Sequence, residues 1–203
     1  MRMKLLVAAA FAAAVAAIVV PSASAAGPTE CNSFYSNTTF KGGLVVNEGD
    51  LCILDHVTVN GGLQVNGGAF SIVGVTNSTI HGGWSMTGTV LPAGYFCGNN
   101  VDGGLNVSNV EAFGEPLSFG ELNADCAGGT INGGATFQND DGAVELDGYR
   151  VNGSLNMAGV AGFYNELEAT AVKGSANCAN VIDDGTSAPL VNSFTGPNNG
   201  CPT

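Results

Sequence analysis

Three groups of side chains in this sequence have types that do chemistry. His81, Asp102 and Ser85 are the components of a Ser–His–Asp arrangement, in which a carboxylate orients a histidine that takes the proton of a serine hydroxyl. The acidic pairs Asp140-Asp141 and Asp183-Asp184, with Glu145 and Asp147, offer hard oxygen ligands suited to Ca2+. Paired carboxylates of this kind also hydrolyse glycosidic bonds. Six cysteines, Cys31, Cys52, Cys97, Cys126, Cys178 and Cys201, can hold zinc or form cross-links. No C-x2-C spacing is present, so cross-links are the expected use. No D-x-D-x-D-G loop and no G-G-x-G-x-D repeat accompanies the acidic pairs. Turn residues on an acidic surface account for them equally well, so no cofactor is expected and Ca2+ is the ion they would suit.

Whether any of these residues meet depends on how the chain is organised. The sequence has 203 residues, with 5 Lys+Arg against 17 Asp+Glu and a formal net charge of −12. So few cations cannot neutralise a phosphate backbone, which excludes nucleic acid as a partner. The N-terminus reads as an export signal. Arg2 and Lys4 precede an apolar run over residues 5–20, and Ala23-Ser24-Ala25 forms an A-x-A cleavage site. Residues 1–25 are therefore expected to be a cleaved signal peptide and 26–203 a single secreted, extracellular domain. That domain keeps Lys41, Arg150 and Lys173 against all 17 acids, a net of 3 − 17 = −14. No later segment is apolar for long enough to cross a bilayer.

An internal repeat dominates the remainder. The pattern T-[VI]-x-G-[GS]-L-x-V occurs at residues 39–46 (TFKGGLVV), 58–65 (TVNGGLQV), 79–86 (TIHGGWSM) and 100–107 (NVDGGLNV). It continues at 130–137 (TINGGATF), 150–157 (RVNGSLNM) and 171–178 (AVKGSANC). Its first glycines stand at 42, 61, 82, 103, 133, 153 and 174, spaced by 19, 21, 21, 30, 20 and 21 residues. Positions two before and two and four after that glycine are apolar, and the position between the last two is nearly always polar. An alternation of period two describes a strand with one buried face. A strand, a glycine corner and another strand, repeated every twenty residues or so, is the requirement of a parallel β-helix, in which each rung buries its apolar columns on its neighbours. The expected fold is all-β, a right-handed parallel β-helix of about seven rungs of ~20 residues. Trp84 falls in an inward column and reads as core.

The V-x-G-[GNS]-[LI]-x-V core resembles the repeat of bacterial β-solenoids, including the bactofilin-type polymer-forming proteins. It is more similar still to small secreted repeat proteins of high-GC bacteria. The resemblance spans about residues 38–178 and implies the fold, with no assigned activity. Bactofilins differ in being cytosolic and in lacking an export signal and these cysteines.

The repeat register gives the chemically capable residues their places. Cys31 and Cys52 lie 11 and 9 residues before successive corners, and Cys97 and Cys126 lie 6 and 7 before theirs. Each pair falls on adjacent rungs, at a separation that a disulfide tolerates. Sequential pairing is expected: Cys31–Cys52, Cys97–Cys126 and Cys178–Cys201. The residue before each first glycine forms a polar column that places His81 beside Asp102. Thr39, Thr58, Thr79 and Thr130 form a partial threonine column that Asn100, Arg150 and Ala171 interrupt, a poor version of an ice-binding face. The 30-residue spacing leaves an insertion near residues 110–126, and Glu111, Phe113, Glu115, Phe119 and Glu121 in it are candidate binding residues, since loops on rigid scaffolds carry function. The expected function is a secreted, non-catalytic structural or binding protein of the cell envelope or extracellular space, with a polysaccharide or an envelope protein as partner. The alternatives are a small polysaccharide-acting enzyme and a flat-face ligand or ice binder.

Overall fold

A computed structural model describes residues 27–68, 71–88, 90–91, 94–112, 117–120, 128–160, 165–182 and 191–203. The expected signal peptide lies outside the described residues. Among them the chain forms a parallel β-helix of about seven turns, with no helical segment. Three parallel sheets run the length of the coil. Sheet I holds nine strands, from Thr29–Glu30 through Trp84–Thr87 to Asn198–Asn199. Sheet II holds eight, from Phe34–Ser36 to Val181–Ile182, and sheet III holds eight strands of two residues, from Thr39–Phe40 to Ser193–Phe194.

The register is the one the repeat columns require. In sheet I, Leu44, Leu63, Trp84, Leu105, Ala135, Leu155 and Ala176 stack in order, and all seven are buried. Sheet III stacks Phe40, Val59, Ile80, Val101, Ile131, Val151, Val172 and Phe194. Sheet II adds the column Leu54, Val75, Phe96, Phe119, Leu146 and Leu167. Mid-coil, Trp84, Phe96, Phe119 and Phe137 form one aromatic cluster, with Phe96 and Phe119 stacked at 4.6 Å. Such ring pairs contribute about 0.5–1.5 kcal/mol each beyond the area they bury.

The two glycines of each corner have different jobs. At the first, successive turns touch backbone to backbone: a Cβ on Gly82 would lie 2.5 Å from the carbonyl oxygen of Gly61, and one on Gly153 would lie 2.6 Å from that of Gly133. The contact comes with a hydrogen-bond ladder, in which Gly82, Gly103, Gly133, Gly153 and Gly174 each donate to the first glycine of the preceding turn. The second position is looser. A Cβ on Gly83 would meet only the Gly104 oxygen, at 3.4 Å, and serines already occupy this place at Ser154 and Ser175. Its N–H bonds no protein group among the described residues. Proline therefore costs no hydrogen bond there, and Pro28 and Pro197 occupy it in the outermost strands.

The coil extends beyond the seven recognised repeats. Gly196 begins an eighth corner, Ser-Phe-Thr-Gly-Pro-Asn-Asn at 193–199, whose strands pair with Ala171–Val172 and Ala176–Asn177. The 30-residue spacing also resolves into two parts. Leu105 to Leu117 is twelve residues where Trp84 to Gly94 is ten, and Phe119 to Thr130 is eleven where Phe96 to Asn100 is four. Two extra residues thus precede the sheet II strand and seven follow it.

Cys31–Cys52 and Cys178–Cys201 are bonded, with Cα separations of 5.3 and 4.8 Å, one near each end of the coil. Cys97 is also disulfide-bonded, and Cys126 lies outside the described residues. Two disulfides at these places suggest an oxidising, extracellular setting. No helix among the described residues is long and apolar enough to cross a membrane.

The corner geometry makes a paired prediction. Gly82→Ala forces a methyl into backbone and should cost ~2–3 kcal/mol or more, lowering the thermal midpoint by many degrees. Gly83→Ala, one residue along, should leave the midpoint nearly unchanged. Thermal unfolding followed by circular dichroism compares the two.

Candidate functional site

The corner column before the first glycine is built as a hydrogen-bonded ladder. His81 Nδ1 lies 2.5 Å from Asp102 Oδ2. Asn132 Nδ2 donates to Asp102 Oδ1 at 2.8 Å, and Asn152 Nδ2 donates to Asn132 Oδ1 at 2.7 Å. The His81 ring, then the Asn132 amide, hold the Asp102 carboxyl below the usual carboxylate range. His81 and Asp102 therefore meet as their column requires, but no hydrogen bond joins Ser85 to His81 among the described residues. Ser85 points from the outer face of sheet I, level with Gln64 and Asn106. The pieces of a triad are present without its proton path.

The acidic residues are dispersed. Asp140 is buried, its Oδ1 accepts the Val110 N–H at 2.8 Å, and burial pushes its pKa up to about 6. Glu145 Oε2 accepts the Ser118 hydroxyl at 2.8 Å. Asp183 and Asp184 lie outside the described residues. No group of three or more His, Cys, Asp or Glu able to hold a metal occurs among the described residues.

The insertion residues part company. Glu111 lies in the short strand Glu111–Ala112, half-buried, paired with Val90. Phe119 is buried at 1% exposure within the aromatic cluster, so it is a core side chain and not a surface contact. Phe113, Glu115 and Glu121 lie outside the described residues. The threonine column is in register, Thr39–Thr58–Thr79–Asn100–Thr130–Arg150, but on strands only two residues wide.

A different feature has the shape of a site. An open groove of about 660 Å3 runs along the coil axis, across the strands. Its glycine row is the second-position column, Gly43, Gly62, Gly83, Gly104 and Gly134, and Pro28 stands at its N-terminal end. Five rungs at ~4.8 Å spacing give it a length of roughly 19 Å. Outward side chains of sheet I line it: Gln64, Ser85, Asn106 and Thr136. Charged groups are absent from its lining.

Two observations separate this stretch from the rest of the face. Further along the same column, Asn199 donates to Asn177 at 2.8 Å and Asn177 to Asn156 at 3.0 Å, a ladder that consumes its own polar groups. Gln64, Ser85, Asn106 and Thr136 make no side-chain hydrogen bond to protein among the described residues, and neither do the second-position N–H groups beside them. The groove thus presents unspent donors and acceptors in a row on four of its five rungs, with Val45 in the same column on the Gly43 rung. Trp84 also lines it, buried at 1% exposure, with its Nε1–H lacking an acceptor. Reading the polar column by residue type alone does not reveal this, because the groove is made by side chains that glycine lacks.

A family-model scan, a search of curated proteins and a search of solved structures match nothing to this chain. The expected likeness to bactofilin-type repeats thus finds no match, and what stands is the parallel β-solenoid fold itself.

Asp140 carries a pH prediction. Its folded pKa, about 6, stands above the ordinary aspartate value of 3.8, so the fold prefers the neutral acid. That contribution is complete below pH 3.8 and is lost as the pH rises through 6. Asp140→Asn keeps an acceptor for the Val110 N–H without the charge. Its thermal midpoint relative to wild type should rise between pH 4 and 7; a difference independent of pH would refute the assignment.

Proposed function

We propose that this chain is a secreted, non-catalytic binding protein of the extracellular space or cell envelope, and that it holds an extended, uncharged, hydroxyl-rich polymer along the sheet I groove. The observation that carries the reading is the row of unspent polar groups in an uncharged groove, next to a stretch of the same column that is internally bonded.

Charge supports a neutral ligand. A chain with net charge −12 disfavours anionic polymers, and the groove has no cation to hold one. Shape supports an extended ligand, because the groove is straight and several rungs long. Its amides and hydroxyls both donate and accept, which suits the hydroxyls of a polysaccharide. The rigid, disulfide-closed scaffold lowers the cost of ordering such a site. The apolar run at residues 5–20 and the two end disulfides support export.

Retention on immobilised neutral and anionic polysaccharides tests the reading. The wild-type mature chain should be retained by a neutral polymer without releasing new chain ends. Gly83→Leu and Gly104→Leu fill the groove at the tolerant second position and should weaken retention about tenfold or more, with the fold intact by circular dichroism. Retention that both variants leave untouched would place binding elsewhere, and release of new chain ends would make the protein an enzyme.

A further inference from the structure

The four outward side chains of the groove do more than offer hydrogen bonds, because their order along the axis has a period. In register they read Gln64, Ser85, Asn106, Thr136: amide, hydroxyl, amide, hydroxyl. Each step is one rung. The long side chain with a planar amide recurs every second rung, and the short hydroxyl fills the rungs between. The glycine row beside them is uniform, so the face has a one-rung repeat in its backbone and a two-rung repeat in its side chains.

From this alternation we infer that the polymer is a β-1,4-linked neutral hexose chain, bound parallel to the coil axis with one sugar per rung. The inference rests on the groove being the binding site. In an extended β-1,4 chain each ring is turned over relative to the last, so the same edge returns every second sugar. A rung is ~4.8 Å thick, slightly less than the advance of one sugar in such a chain, so the two stay near register over a few rungs. A chain laid in the groove would then meet an amide with one edge and a hydroxyl with the other, in step over all four rungs. An α-1,4 chain coils away from a straight groove. The site ends where the chemistry ends: before Gln64 the column becomes apolar at Val45, and beyond Thr136 it becomes the closed ladder of Asn156, Asn177 and Asn199.

Calorimetric titration with β-1,4-linked glucose oligomers of increasing length tests this, with α-1,4-linked oligomers of equal length as the comparison. Affinity should climb up to about four sugars and then level, as each rung is engaged in turn, and the α-linked series should bind about tenfold more weakly or worse. A phase-shifted variant isolates the period. Ser85→Asn with Asn106→Ser keeps the groove's composition but changes the order to amide, amide, hydroxyl, hydroxyl. It should lose about tenfold in affinity for the β-linked chain, with an unchanged thermal midpoint. Full affinity in that variant, or equal binding of the α-linked series, overturns the inference and leaves the groove reading in place. Failure of every neutral polymer to bind wild type overturns both.

Discussion

At the first glycine of each corner, successive turns meet backbone to backbone, with no room for a methyl group. The closeness lets the Gly82 N–H reach the Gly61 carbonyl, and the same bond recurs at Gly103, Gly133, Gly153 and Gly174. It also pins the phase of every turn. Once the corners coincide, the residues two before and two after must stack on their counterparts, which is how Ile80 comes to lie on Val59 and Trp84 on Leu63. A slip by one residue would turn each apolar column outward. Core, sheets and outer columns all follow from a contact that only glycine permits.

The second corner residue shows what relaxing that constraint allows. Its N–H stays out of the ladder, and a Cβ there meets a single oxygen of the next turn, at 2.9 Å on Gly62 and 3.4 Å on Gly83, so the position is less closed than the first, and glycine, serine and proline all occur at it. Where glycine fills it over five consecutive rungs, the missing side chains become a channel, and Gln64, Ser85, Asn106 and Thr136 beside it are left without a protein hydrogen-bond partner among the described residues. Where serine fills it, Ser175 donates to Ser154 and the neighbouring asparagines bond to one another. One face of one coil is thereby divided into an open half and a closed half by small changes at a single repeat position.

Much of this was legible in the residues. The inward columns, the strand alternation and the end disulfides follow from spacing alone. His81 does meet Asp102, though as part of a ladder that leaves Ser85 out. Three features were hidden for physical reasons. The eighth corner at Gly196 escaped because Pro197 and Asn198 replace the usual second glycine and leucine, and neither is needed once no rung stacks beyond. The buried polar column of Ser78, Asn99, Thr170 and Asn192 looks like ordinary turn sequence. Its role shows only in depth, where Asn99 accepts the Ser78 N–H and Asn192 that of Thr170. Phe119 sits amid an acidic, irregular stretch that reads as loop, yet stacking on Phe96 draws it into the core.

The alternation along the groove has an evolutionary consequence. Coils of this kind lengthen or shorten by whole turns, here mostly 19 to 21 residues, between fixed ends. Backbone and core are indifferent to how many turns are added, because each presents the same corner to its neighbours. The outer row is not indifferent. Gain of a single turn inside it would put two amides or two hydroxyls side by side, while gain of two would extend the row without a break. Turns gained inside the row would therefore keep its order only two at a time, about forty residues, whereas turns gained outside it are unrestricted, a parity rule written on one stretch of the surface of a fold that has none inside.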